Sequence, residues 1–133
     1  MTTTPPLPAR DLSGYDALYG LEIDQLGDAE VTARVRVRDD LRQPAGLIHG
    51  GVLASIADST TTLATALAVE PDGKTAQAIS NQTSFLRPVG GDTIHAVARR
   101  RHRGRTTWVW EVDITDDEDR VCALVRMTVA VRG

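Results

Sequence analysis

Alternating apolar and polar residues run through most of this chain and predict strands. The clearest case is AEVTARVRV, where valine or alanine fills every second position from Val31 to Val37, with threonine and arginine between them. Because successive side chains point to opposite faces of a strand, the segment predicts a strand buried on one face. The preceding LEIDQLGDAE predicts its antiparallel partner, with a turn at Gly27 and Asp28. Further strands are predicted over 75–86, 93–102, 106–115 and 121–132.

One long segment has the spacing of a helix instead of a strand, and a shorter helical segment is predicted before the first strand. From about Gly50 to Ala68, apolar residues recur at steps of three and four, namely Val52, Leu53, Ile56, Leu63, Ala64 and Leu67. DLSGYDALYG predicts a short helical turn. One long helix among so many strands predicts an α+β domain, in which an antiparallel sheet of about five to six strands curls round the helix. Small residues should line its contact with the sheet: Ala54, Ser55, Ala57, Ser59, Ala64, Ala66 and Ala68.

Length and composition limit the organisation of the chain. With 133 residues it can form one core, so we predict a flexible tail over 1–12, rich in threonine and proline, and a single domain over 13–133. Cys122 is the only cysteine, which indicates neither an internal disulfide nor a structural metal. The absence of an 18-residue apolar run and of a secretory signal predicts a cytoplasmic protein without a membrane partner.

The basic residues are unevenly distributed. The 15 lysines and arginines include one lysine, Lys74, and RRRHRGR places five arginines within 99–105, although the net charge is −3. No segment resembles a nucleic-acid recognition element, so we predict no nucleic-acid partner. The cluster either binds phosphate on a smaller ligand or is a solvated strand edge.

The segment GLIHGGVLASIADSTTTLA carries the candidate chemistry. Gly50 and Gly51 come at the predicted helix start, where amide N–H groups lack intrahelical partners and the helix dipole is positive. Such donors, with no Cβ nearby, can polarise a carbonyl oxygen. The alternative is that the glycines only allow tight entry into the helix. His49 either supports this loop or binds beside the carbonyl.

Asp58 is an acidic residue within an otherwise small and apolar helical segment. It follows Gly50 by eight residues, about 12 Å along a helix, so the two groups of one helix cannot reach the same carbonyl carbon. Two antiparallel helices across a two-fold axis would bring Gly50 of one subunit to Asp58 of the other, which predicts a site that needs a dimer. Thr62, Ser59 or Thr61 could hold the carboxylate. The alternatives are a solvated aspartate and threonines bonded to their own helix.

Three motifs, IHGGVLASIADS, SFLRPVGGD and HRGR, resemble the hot-dog-fold thioesterases of the PaaI and hydroxybenzoyl-CoA type. The resemblance extends from about Leu18 to Val131 and implies the hot-dog fold, a homodimer and a dimer of dimers. In the hydroxybenzoyl-CoA branch a Gln, a Gly, an acidic residue and a Thr occur at matching spacings, which implies catalytic roles for Gln43, Gly50, Asp58 and Thr62. That branch has Glu at the acidic position, and PaaI-like members have Asn in place of the Gln. Some relatives have Ser where this chain has Ala78.

The predicted reaction is hydrolysis of an acyl-CoA thioester, with Asp58 as general base or as nucleophile. The acyl group is small, medium-chain or aromatic, and no cofactor is needed, since coenzyme A belongs to the substrate. Trp108 and Trp110 either wall the acyl pocket or belong to the core. A hydroxyacyl-thioester dehydratase of the same fold and a non-catalytic acyl-CoA-binding module are the alternatives. The predicted substrate-binding residues are His49, Gly51, Ser59, Arg87, Arg100 and Arg103, the arginines for CoA phosphates.

Overall fold

The computed structural model describes Leu7 and residues 11–133, so most of the predicted 1–12 tail lies outside the described residues. Two helices, α1 (Gly14–Leu18) and α2 (Gly50–Val69), accompany six strands. The strands are β1 (Leu21–Leu26), β2 (Glu30–Arg36), β3 (Thr75–Phe85), β4 (Thr93–Arg103), β5 (Thr107–Thr115) and β6 (Val121–Arg132). Short 3-10 turns cover Asp39–Leu41 and Glu70–Asp72. Each predicted strand and the long helix are confirmed, with ends shifted by a residue or two.

The six strands form one antiparallel sheet in the order β1-β2-β4-β5-β6-β3. The alternation seen in the sequence explains which face is inside: Val31, Ala33 and Val35 of β2 are buried, while Arg34 and Arg36 are exposed. The sheet curls round α2, the one long helix of the described chain, and covers it. The predicted α+β hot-dog architecture is therefore confirmed.

The core lies between α2 and the concave face of the sheet. Ile56, Ala57 and Ala64 of α2 have no exposed surface, as predicted for small and apolar residues facing the sheet. Trp108 and Trp110 are 1% and 0% exposed, so they belong to the core of the protomer. Trp110 Nε1 donates to Thr65 Oγ1 at 3.0 Å, which satisfies the indole N–H inside the apolar interior.

Two details of the helix prediction were wrong. Ser55 and Ser59 do not face the sheet; both hydrogen-bond to tyrosines of the α1 segment. Leu63 is only half-buried, because it lies on the same side of α2 as these serines. Their small side chains thus make room for a short helix outside the sheet.

The apolar composition of α2 has a structural cause. The stretch Gly50–Asp72 is long and apolar enough to cross a membrane by composition, yet 56% of its most apolar 18-residue window, which has a mean hydropathy of 1.4, is buried in the protein. Three threonines of α2 are buried as well, because their hydroxyls donate to backbone carbonyls one turn back. The bonds run from Thr60 to Ile56, from Thr61 to Ala57 and from Thr65 to Thr61, at 2.8, 2.8 and 2.7 Å.

Candidate active site

The start of α2 leaves one amide N–H free. His49 is the N-cap residue, with φ −62° and ψ 131°, and its Nδ1 accepts a hydrogen bond from the Gly51 N–H at 2.9 Å. The Val52 N–H donates to the His49 carbonyl at 3.0 Å. No described group accepts the Gly50 N–H, which lies at the positive end of a 20-residue helix. Gly50, and not Gly51, is therefore the available donor.

Gly50 also packs directly against an aromatic ring. A Cβ at this position would lie 2.9 Å from Cε1 of Phe85, the last residue of β3. Glycine is needed here for close approach rather than for its backbone angles. Phe85 is 57% exposed and was not among the predicted site residues. Its position within SFLRPVGGD, one of the three motifs, is the signal that could have found it.

Gln43 lies in the loop that leads into α2. The loop is closed by hydrogen bonds from Gln43 N to Leu47 O at 2.8 Å and from Gly46 N to Gln43 O at 2.9 Å. The Gln43 side-chain oxygen accepts from the Ala45 N–H. The oxygen is thus used to shape the loop, whereas the amide nitrogen has no partner among the described residues. Gln43 can still donate a hydrogen bond.

Asp58 lies on the exposed side of α2, and Thr62 holds it. Thr62 Oγ1 donates to Asp58 Oδ1 at 3.1 Å, as the i+4 spacing predicts. The two other predicted partners do not bind the carboxylate. Thr61 donates to the Ala57 carbonyl, and Ser59 donates to Asp16 Oδ1 at 2.6 Å. The second carboxylate oxygen of Asp58 has no partner in the described protomer.

A pocket of about 330 Å³ opens beside Asp58, between α2 and the α1 segment. Tyr15 and Tyr19, one helical turn apart, pack together with ring centroids 5.0 Å apart. Burial raises the pKa of Tyr19, and the hydrogen bond to Ser59 opposes this effect. The sequence pattern predicts this helical turn but gives no sign that it lies beside Asp58. The lining residues are Tyr15, Asp16, Ser55, Asp58, Ser59, Thr62 and Leu63.

The predicted phosphate-binding arginines occupy different regions. Arg87 follows Phe85 closely and is exposed, without an ion pair among the described residues. Arg100 and Arg103 both bind Asp28 Oδ2, at 3.5 and 3.2 Å, and both stack on the Trp108 ring at 5.0 and 4.9 Å. They lie on β4, which is separated from β3 by β5 and β6. Within one protomer, the structure does not bring these two arginines to Gly50.

The two histidines of β4 also lie apart from the α2 start. His95 Nε2 is 2.8 Å from Asp117 Oδ1, and this hydrogen bond lowers the pKa of Asp117. His102 lies beside Gly104 at the β4–β5 turn. Among the described residues, neither histidine hydrogen-bonds to Gly50 or Asp58.

Gly50 and Asp58 therefore lie on one continuous helix and eight residues apart. At about 1.5 Å of rise per residue, the free N–H and the carboxylate cannot both contact one carbonyl carbon from the same protomer. One protomer therefore presents a hydrogen-bond donor at the start of α2 and, separately, a positioned carboxylate halfway along it.

Comparison with known proteins identifies the family to which the chain belongs. Residues 45–123 match the Thioesterase superfamily. The chain is 32% identical over 114 residues to the proofreading thioesterase EntH of Cronobacter turicensis, covering 86% of this chain and 82% of the relative. A mutant of the thioesterase PA1618 from Pseudomonas aeruginosa has a crystal structure similar to this one, with a TM-score of 0.83 and 30% identity. The match covers 88% of this chain and 84% of that chain.

The structure of the PaaI protein of the E. coli phenylacetic acid degradation operon is also similar, with a TM-score of 0.78 and 28% identity. The match covers 89% of this chain and 83% of that chain. The matched region 45–123 contains the α2 start, Asp58 and Phe85. The chain therefore belongs to the thioesterase superfamily, with the hot-dog fold of its PaaI-like members.

Proposed function

We propose that this protein is an acyl-CoA thioesterase that hydrolyses small, medium-chain or aromatic acyl-CoA to the free acid and coenzyme A. One observation supports it above all others. The helix that presents a free amide N–H at Gly50 also presents, on its exposed side, the Asp58 carboxylate held by Thr62. Thioester hydrolysis needs these two functions, stabilisation of an oxyanion and activation of a nucleophile.

In the proposed reaction, the thioester carbonyl oxygen accepts the Gly50 N–H. Negative charge then develops on that oxygen where the helix dipole stabilises it, which is worth about 3 kcal/mol for one donor. As a general base, Asp58 takes a proton from water while the water oxygen bonds to the carbonyl carbon. The C–S bond then breaks, and coenzyme A leaves as a thiolate that is protonated. As a nucleophile, Asp58 would instead form an anhydride that water opens.

The proposed site requires two subunits, and the edge strand β3 suggests how they meet. β3 has 11 residues and pairs on one side only, with β6. A long edge with exposed apolar side chains, here Ile79 and Phe85, is a ready surface for strand pairing. Because α2 packs on β3 and β6, joining two protomers at β3 would place their α2 helices side by side. We propose such a homodimer, a further pairing into a dimer of dimers, and a cytoplasmic location.

Binding of coenzyme A is assigned to surface residues near the α2 start. Arg87 is exposed and can pair with phosphate, while Gln43, whose amide nitrogen has no partner among the described residues, keeps its predicted catalytic role as a donor. We propose that His49 acts by capping the helix, since its Nδ1 accepts the Gly51 N–H. Arg100 and Arg103 each use Nη1 to pair with Asp28, so phosphate would bind their remaining N–H groups or replace Asp28.

The substitution Asp58→Asn tests the proposal, because it removes the base or nucleophile while keeping the size of the side chain. We expect kcat to fall by at least ~10²-fold, measured as free thiol released from a panel of straight-chain and aromatic acyl-CoAs. Asp72→Asn is the control, since it removes the same charge from an exposed position just after α2. Activity of Asp58→Asn close to that of the control would refute the assignment.

A further inference from the structure

Residues 86–92 connect β3 to β4, and we call this segment the connector. It begins directly after Phe85, which packs on Gly50, and it carries Arg87, the exposed arginine proposed for phosphate. The connector contains no helix or strand, so contacts with other parts of the chain determine its path. Several of these contacts come from the β5–β6 turn, residues 116–120, and from the start of β6.

The first residues of the connector are bound to β6. The Cys122 carbonyl accepts the N–H of Leu86 at 2.8 Å and the N–H of Arg87 at 3.3 Å. The Cys122 thiol donates to the Pro88 carbonyl, with 3.8 Å between Sγ and the oxygen. Burial raises the pKa of Cys122, whereas the positive charge of Arg87 is among the effects that lower it. The Arg87 charge therefore lies within electrostatic reach of this anchor.

The middle of the connector lies against an ion pair of the β5–β6 turn. Asp116 is 2% exposed, and its Oδ2 accepts from Arg120 Nε at 3.0 Å and is 2.9 Å from Arg120 Nη2. Its Oδ1 accepts the backbone N–H groups of Glu118 and Arg120 at 2.9 and 3.1 Å. The guanidinium is thus fixed, and a Cβ at Gly90 would lie 2.9 Å from its Nη2. The connector therefore passes directly over Arg120.

Asp117 holds the last residue of the connector. Its Oδ2 accepts the N–H groups of Asp92 at 2.8 Å and Thr93 at 3.3 Å, and its Oδ1 accepts from His95 Nε2 at 2.8 Å. The hydrogen bond from His95 is the largest of the causes that lower the pKa of Asp117. The start, middle and end of the connector are therefore all bound to one turn and the strand that follows it.

We propose that Asp117 and Arg120 are positioning residues of the active site: through the connector they determine where Arg87 meets a phosphate of coenzyme A. The inference rests on the proposed function, since it assumes that Arg87 binds that phosphate. If these contacts are lost, the connector gains conformational freedom, and substrate binding must then order it at a cost in affinity. Phe85 is held separately by the pairing of β3 with β6. The effect is therefore on KM and not on kcat.

The test compares thioesters with and without phosphate. We expect Asp117→Ala to raise the KM for an acyl-CoA about fivefold and to leave unchanged the KM for the matching acyl-pantetheine, which has no phosphate. Arg87→Ala should raise the acyl-CoA KM about tenfold, and adding Asp117→Ala to it should raise KM no further, since both changes remove one interaction. Asp119→Asn is the control, because it removes the same charge from an exposed residue of the same turn, and asparagine suits its φ of 63°.

The outcomes separate this inference from the proposed function. Equal increases of KM on both esters, an increase that adds to that of Arg87→Ala, or an Arg87→Ala variant with unchanged KM overturns the positioning role. Arg120→Ala repeats the comparison at the middle of the connector, and thermal unfolding checks the folding of each variant.

Calorimetry with free coenzyme A gives a second readout without turnover. We expect Asp117→Ala and Arg120→Ala to raise its Kd about fivefold. Wild-type Kd values for both variants contradict this inference alone. A wild-type protein that binds coenzyme A but hydrolyses no acyl-CoA contradicts the proposed function alone, and one that does not bind coenzyme A contradicts both.

Discussion

At the scale of single residues, the capping of α2 decides which glycine can serve the reaction. IHGG places two glycines at the helix start, and the sequence leaves both as possible donors. His49 Nδ1 takes the Gly51 N–H, which leaves the Gly50 N–H unpaired among the described residues. The same hydrogen bond requires an unprotonated Nδ1, and it makes His49 the cap of the helix in this structure.

The proposed donor is tested by Gly50→Pro with Gly50→Ala as its control. Proline lacks the N–H and is well tolerated at the first helical position, and the His49 ψ of 131° suits a residue before proline. Both variants add a Cβ against Phe85 and so share that disturbance. We expect kcat of the proline variant to be about 10²-fold below that of the alanine variant. Equal kcat values would show that the Gly50 N–H does not stabilise the oxyanion.

At the scale of elements, β3 has two roles that its sequence pattern does not reveal. Its residues alternate as in any strand, but the sheet order places it at the edge, where Ile79 lies at a bulge and is 56% exposed. The last residue of β3 packs on the start of α2. The strand thus connects the surface proposed for dimerisation with the proposed oxyanion donor.

A charge on this edge should prevent strand pairing. We expect Ile79→Lys to shift the protein from dimer or larger to monomer, measured by light scattering during size exclusion, and to lose activity in parallel. Leu124→Lys is the control, since Leu124 is 46% exposed but lies on β6, which pairs with β5 and β3 within the protomer and has no free edge. A fully active Ile79→Lys monomer would contradict both the interface and the two-subunit site.

At the scale of the whole molecule, the proposed site belongs to two chains. Each protomer would lend its helix start to one site and its carboxylate to the other. The proposal includes a second subunit because α2 is continuous from Gly50 to Val69 and holds the two groups apart. An enzyme of this design gains activity from assembly as well as from folding.

Mixing two inactive variants tests this directly. A dimer of one Asp58→Asn subunit and one Gly50→Pro subunit contains one site with both native groups and one site with neither. After unfolding and refolding an equal mixture, random pairing should restore about a quarter of wild-type activity. Each variant refolded alone is the control. No recovery, with heterodimers demonstrated by a tag on one subunit, would show that each site uses a single chain.

The local sequence determined the secondary structure of this protein and one contact of the candidate site. Period-two alternation specified the strands and the buried face of β2, because side chains alternate across a strand. Three- and four-residue spacing specified α2, and the i+4 step from Asp58 to Thr62 specified their hydrogen bond. These features depend on neighbours along the chain, so pattern and propensity suffice to predict them.

Only the tertiary structure decided what depends on contacts between distant segments. It placed Phe85 on Gly50, turned Ser55 and Ser59 toward α1, and engaged Arg100 and Arg103 with Asp28. The sequence had suggested these serines for the sheet and these arginines for phosphate. The physical reason is that a residue's chemistry shows what it can bind, whereas the packing of the folded chain determines which partner comes within reach.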